Sequence, residues 1–456
     1  MYNQGCSSQD KEIIPTNKLH SNIDLFKEPI PRHQYSAGHI NLFITLLLTM
    51  TGLRCASRII DIVKSFFQIE INIPSWYAGR LWLLKLGYYK LTRIKEHADD
   101  WIWIIDHSIQ LGADKCLVIL GIRASKLPTN RPLTLTDVEP IELLPVKKSN
   151  GEIVYEQLQK AVKKTGIPRA IVGDEGSDLR AGINKFREAN KTIAYIHDIK
   201  HKVAILLKRE LKNDKAWQSF IELASTTQSY VQQTELAAIS PPNQRSKARY
   251  MNVDKLVAWG KQALQAIENN AQTNMFASDP LQAKLGWLKH YKNELTEWDN
   301  IITTAITVEN YVRNNGIFMG MTDELQIELE NIGDTNRMVK FKGSLLSSVL
   351  TDESKVHIGE TLLGSSEIIE SLFGKYKNIE QEQASSGFTK LILSIPAIVA
   401  ETTTAIVNTA MAHVKVKEIN QWFTDNIGCS VQAKRKEVFL INKEWNKNGT
   451  NLAAHF

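Results

Sequence analysis

WIWIIDHSIQLG at 101–112, running on to KCLVILGI at 115–122, is the stretch on which the fold turns. WIWII and KCLVILGI are short, rich in β-branched and aromatic residues, and separated by the turn LGAD, so both read as buried strands. PIELLPV at 140–146 reads as a third. Beyond it the period alternates. A helical stretch, VYEQLQKAVKKTG (154–166), precedes the strand RAIVG (169–173); the helix DLRAGINKFREAN (178–190) precedes the strand TIAYIHD (192–198); and a basic helix, HKVAILLKREL (201–211), follows. Strands in a meander, then strands alternating with helices, predict an α/β (α+β) fold built on a mixed sheet with flanking helices.

Two of these strands end on an acid: Asp106 closes WIWII, and Asp174 follows AIVG. A carboxylate at the carboxyl end of an apolar strand stands on a rigid support where open α/β sheets place their ligands. A third acid, Glu370 in SSEIIESLFGKYK (365–377), reads as helical, with Lys377 two turns on along the same face. Carboxylates on rigid supports suit hard divalent ions such as magnesium, which needs only one or two of them plus substrate phosphate. Two such ions about 3.5–4 Å apart stabilise both oxygens of an in-line displacement at a phosphodiester. Other acids compete for the roles. Asp178 stands four residues past Asp174 and also reads as an N-cap of the following helix. Asp198 ends the next strand and is a candidate fourth acid, Glu367 an alternative to Glu370, and Asp99 and Asp100 read as exposed turn residues. His197 and His201, four apart, are candidates for zinc or for a phosphate-contacting helix start.

Outward from the sheet the chain turns helical on both sides. Residues 1–37 read as a flexible polar leader, not a signal peptide. Residues 38–95 read as a helical, helix-turn-helix-like domain, with one helix over RCASRIIDIVKSFF (54–67) and a second opened by Pro74 and Ser75 and ended by Gly87. That second helix offers Tyr77, Arg80 and Lys85 to a DNA groove; the plainer reading is a helical bundle with Trp76 and Trp82 in its core. The sheet unit spans 96–210, a helical insertion 211–360, the third-acid helix 361–390 and a C-terminal helical region 391–456. The insertion carries Trp217, Trp259, Trp287 and Trp298, which read as core with one available to stack on an extruded base. The break SPPNQRSKARYMN supplies Arg245, Lys247 and Arg249; Lys375 adds a cation beside Glu370, and Lys434, Arg435 and Lys436 form a further basic patch. All are candidate phosphate contacts or solvated charge.

The formal charge of +6 over 456 residues favours a polyanionic partner mildly. Four cysteines (Cys6, Cys55, Cys116, Cys429) lack metal-ligand spacing, which argues against a zinc ribbon and suits a reducing cytosol. The apolar runs INLFITLLLTM (40–50) and LILSIPAIVA (391–400) are too short to span a membrane and read as core.

The ordered blocks WIIDHSIQLG, IVGDEGSDLRAGI and EIIESLFGKYK resemble the three acidic blocks of DDE transposases of bacterial insertion sequences. That resemblance implies a ribonuclease H-like catalytic core, with the 38–95 region recognising element ends and the helical block inserted before the third acid. It implies Asp106, Asp174 and Glu370 as the ligands of two Mg²⁺ (Mn²⁺ substituting), Lys377 as a phosphate clamp, double-stranded DNA as partner, and a homodimer on DNA in a nucleoid-associated, cytoplasmic setting. A signature Arg of one subfamily is missing, its place taken by Ser366. A related nuclease without strand transfer and an inactive DNA-binding derivative share the same blocks.

Overall fold

The computed structural model describes residues 29–428 except 32, 50, 69–70, 112–113, 244–252, 274–277 and 382–388, together with 439–440. Arg245, Lys247, Arg249, the Lys434–Lys436 patch and most of the leader lie outside the described residues.

Five strands form one mixed sheet: β1 (Trp101–Leu111), β2 (Asp114–Arg123), β3 (Glu139–Val146), β4 (Ala170–Gly173) and β5 (Ala194–His197). Their order is β3-β2-β1-β4-β5, antiparallel through β1–β3 and parallel from β1 to β5. This mixed, helix-flanked sheet is consistent with the expected ribonuclease H-like class. Side-chain alternation splits β1 between two cores. Trp101, Trp103 and Ile105 pack with α4 (Gly151–Thr165) and α5 (Ser177–Ala189) on one face, while Ile102 and Ile104 join the main core on the other. On the main-core side, α13 (Glu367–Glu380) packs on β1.

β1 does not stop at Asp106, as the sequence suggested; it continues to Leu111 because β2 pairs with it along its length. What stops there is the parallel ladder to β4, whose last pair is Ile105 with Gly173. Asp106 therefore sits where β4 leaves β1, and not at a strand end.

Before the sheet come α1 (Ala37–Leu48), α2 (Leu53–Phe67) and α3 (Trp76–Thr92). Ser75 caps α3 as expected, its hydroxyl accepting from the Ala78 amide at 3.2 Å. Gly87 does not end the helix. A Cβ there would lie 1.7 Å from the Leu393 carbonyl oxygen, so this glycine admits a neighbouring backbone. Its neighbours are α14 (Ser394–Ile398), α15 (Thr404–His413) and α16 (Val416–Asn426), so the two stretches read separately in the sequence share one core. Lys90 joins them: its buried Nζ donates to the carbonyls of Ala397, Val399 and Ala400 and to Thr402 Oγ1, at 2.7–3.1 Å.

Between β5 and α13 lie α6 (Ile199–Lys212), α7 (Lys215–Val231), α8 (Val253–Thr273), α9 (Ser278–Leu285), α10 (Lys292–Asn315), α11 (Met321–Leu329) and α12 (Asn336–Glu353). Trp217, Trp259, Trp287 and Trp298 surround Phe220 there, with ring centroids 5.1–6.3 Å from it. Trp298 Nε1 donates to Asp214, Trp259 Nε1 to the Ile239 carbonyl and Trp287 Nε1 to Thr227, so the four indoles build the insertion's core. Arg337 ties α6, α7 and α10 through Glu210, Asp214 and Glu297 at 2.7–2.9 Å. Among the described residues no helix is long and apolar enough to cross a membrane.

Candidate active site

Parity and register bring the first two acids together. Ile102 pairs with Ala170 and Ile104 with Val172, all four side chains in the main core. Asp106 and Asp174 directly follow the last pair of that ladder, Ile105 with Gly173, and strand alternation puts Asp106 on the face that α13 covers. Asp174 is held locally: its Oδ1 accepts from the Gly176 amide at 2.9 Å, and its carbonyl accepts from the Tyr195 hydroxyl at 2.7 Å.

Glu370 lies on the first turn of α13, whose start is fastened to the end of β5. The Ile199 amide donates to the Gly364 carbonyl at 3.0 Å. Asp198 Oδ2 accepts from the Ser366 amide at 2.6 Å and from its hydroxyl at 2.8 Å. The other oxygen of Asp198 accepts from the His201 amide at 2.9 Å and His201 Nδ1 at 3.1 Å. Asp198 is thus a buried clamp that caps α6 and anchors α13, with both oxygens occupied. Burial works to raise its pKa, yet donors from His201 and Ser366 hold it at about 2.

Asp106 has the opposite surroundings. Burial, reinforced by the charges of Asp174 and Glu370, pushes its carboxyl up to about 7, against the His107 amide and His201, which pull it down. A carboxyl that must discharge itself to sit among other carboxylates is a group in want of a cation. The three acids all offer hard oxygen donors, the type Mg²⁺ and Mn²⁺ take. Their arrangement is open as it stands: among the described residues no three His, Cys, Asp or Glu side chains lie together closely enough to hold an ion. Glu370 instead accepts from Lys200 Nζ at 2.6 Å. The donor set matches a hard divalent ion in the chemistry of its oxygens, and Glu370 is held by Lys200.

The competing acids are spent elsewhere. Asp178 is not the N-cap of α5, a position held by Gly176; it sits in the first turn and pairs with Lys115 at 3.1 Å. Burial raises it, but the Ser149 hydroxyl and Lys115 hold it at about 2. Glu367 pairs with Arg313 at 3.1 Å. Asp100 is no free turn residue, since it binds Arg123 and the Ser125 amide. His197 ends β5 and faces Glu175 at 2.6 Å, while His201 serves Asp198, so the pair shares no helix face.

The expected DNA contacts divide. Lys377 is exposed, on the helix that carries Glu370. Lys375 lines a cleft of about 520 Å³ with Arg313, Glu367 and the loop from Pro132 to Thr136. Tyr77 is 61% exposed and Arg80 half-buried. Lys85 corrects the sequence reading: it is buried and donates to the Met411 carbonyl at 3.3 Å, because α3 is apolar nearly all round and enclosed by other helices. Trp82 is core as expected and Trp76 is exposed. Two residues near Glu370 went unread in the sequence: Lys200, just before the basic helix, and Glu309 on α10, whose influence on Lys200 no local pattern signals.

No family model matches the chain, and no curated protein does. Among solved structures, the Drosophila P element transposase strand transfer complex is similar over 86% of this chain and 98% of that chain, with 13% sequence identity and a TM-score of 0.38.

Proposed function

We propose that this protein is a DDE-type transposase that binds the ends of a mobile DNA element and catalyses metal-dependent cleavage and strand transfer. One observation carries the reading: Asp106 and Asp174 directly follow the last β1–β4 pair, Ile105 with Gly173, and α13, which bears Glu370, packs on β1. Asp106, Asp174 and Glu370 would hold two divalent ions, which when bound supply Lewis-acid stabilisation of the attacking and leaving oxygens. Asp106 and Asp174 would fix one side of the site from the rigid sheet, while Glu370 closes the other from α13. Asp198 positions Glu370 through Ser366 without touching substrate. Lys377, exposed two turns along, would engage a phosphate near the scissile bond. Tyr77 and Arg80 would contribute to end binding, and two ends joined in one complex call for a homodimer on DNA.

The test is an assay with Mg²⁺ or Mn²⁺, duplex element ends and target DNA. Cleavage followed by joining of the 3′-hydroxyl end to target is the expected result. Cleavage without joining would make the protein a nuclease. End binding with neither step would make it a non-catalytic DNA-binding protein.

A further inference from the structure

Lys200, in the first turn of α6, donates to Glu370 Oε2 at 2.6 Å. It also lines a cavity of about 240 Å³ whose walls include Val203, Leu207 and Ile302. Glu309, from α10, lines the same cavity. It is half-buried and forms no hydrogen bond or ion pair among the described residues. Asp254, the other acid on the lining, is exposed. One lysine thus pairs with one carboxylate and shares a cavity lining with a second that is not hydrogen-bonded or ion-paired among the described residues.

An ammonium and a divalent ion compete for the same oxygen of Glu370. A lysine ejected into a half-buried, mostly apolar cavity without a second acceptor would resist leaving, because an unpaired charge there is costly. A carboxylate already waiting in the cavity removes that resistance.

We propose that Lys200 is a positioning residue that changes partner: it holds Glu370 while the acidic site is free of ion, and it crosses to Glu309 when a divalent cation takes Glu370. This rests on the reading of Asp106, Asp174 and Glu370 as the metal site. Lys200 keeps the third acid from collapsing onto the other two, and Glu309 sets how readily the ion displaces it. The switch couples ion binding to the α6–α10 boundary of the insertion.

The experiment is Mn²⁺ binding to the full chain without DNA, read by paramagnetic resonance of free Mn²⁺ and by calorimetry. Lys200→Met is expected to tighten binding about five- to tenfold, and Glu309→Gln to weaken it by a similar factor, the low end of common coupling strengths. The combined variant should bind like Lys200→Met alone, since Glu309 acts only through Lys200. Thermal melts establish folding, with Lys200→Gln as the neutral replacement if the methionine variant fails to fold. Equal Mn²⁺ affinity in wild type and the neutral Lys200 variant, with binding still lost in Asp106→Ala, overturns the switch and leaves the metal site standing. Absence of Mn²⁺ binding in wild type, or undiminished binding in Asp106→Ala, overturns both.

Discussion

Asp106 on β1 and Asp198 just past β5 stand two strands apart in one sheet, and burial bears on both, yet they come out at opposite ends of the carboxylate range. Asp198 receives four hydrogen bonds from His201 and Ser366. Asp106 is desolvated and meets two like charges, which the His107 amide and His201 offset only in part, and rises to about 7. Burial alone does not mark a functional acid. The distinguishing fact is whether the surroundings stabilise the charge already or leave that to an incoming cation.

The largest test of this contrast is catalytic. Asp106→Ala should lower cleavage by roughly 10³–10⁴-fold, the worth of several kcal/mol of metal-assisted stabilisation, while element-end binding in a gel-shift assay changes by less than about threefold. Parallel loss of both would remove Asp106 from catalysis. Next in size is the clamp. Asp198→Ala strips the cap from α6 and leaves buried Ser366 donors unmatched, so urea denaturation should show a loss of about 2–4 kcal/mol. A change under about 0.5 kcal/mol would return Asp198 to the pool of candidate ligands.

The pH dependence separates the two directly. The folded pKa of Asp106 lies above its ordinary 3.8, so the native state holds the extra proton between about 4 and 7. The stability this gives is complete below pH 3.8 and is lost as pH rises through about 7. Asp106→Asn should therefore match wild type near pH 4 and exceed it by about 1–4 kcal/mol at pH 8 without divalent ions. For Asp198 the sign reverses: its contribution is present above 3.8 and disappears as pH falls through about 2. A stability difference for Asp106→Asn that stays flat from pH 4 to 8 would break the contrast. The smallest effect belongs to Lys377, an exposed cation. Lys377→Ala should slow cleavage by less than about tenfold and ease with added salt, whereas unchanged cleavage would end its assigned role.

The sheet was legible because its signals are local. WIWII alternates between two cores, RAIVG repeats that parity, and the register then carries Asp106 and Asp174 to one face. The helical regions were legible as helices but not in their packing. Gly87 reads as a stop until Leu393 is seen against it, and Lys85 reads as a groove-facing cation until Met411 is found over it. Glycine and lysine carry no mark of what approaches them from three hundred residues away.

By itself, then, the sequence determined the strand and helix periods, the caps such as Ser75, and a short roster of acids near the sheet's edge, since each depends on neighbours within a few residues. Tertiary structure alone decided which acids keep their charge unanswered. Ser366 quenches Asp198, Lys115 quenches Asp178 and Arg313 quenches Glu367, each brought in from a remote segment. Electrostatic environment is a sum over whatever lies close in space, and chain order does not encode that sum position by position.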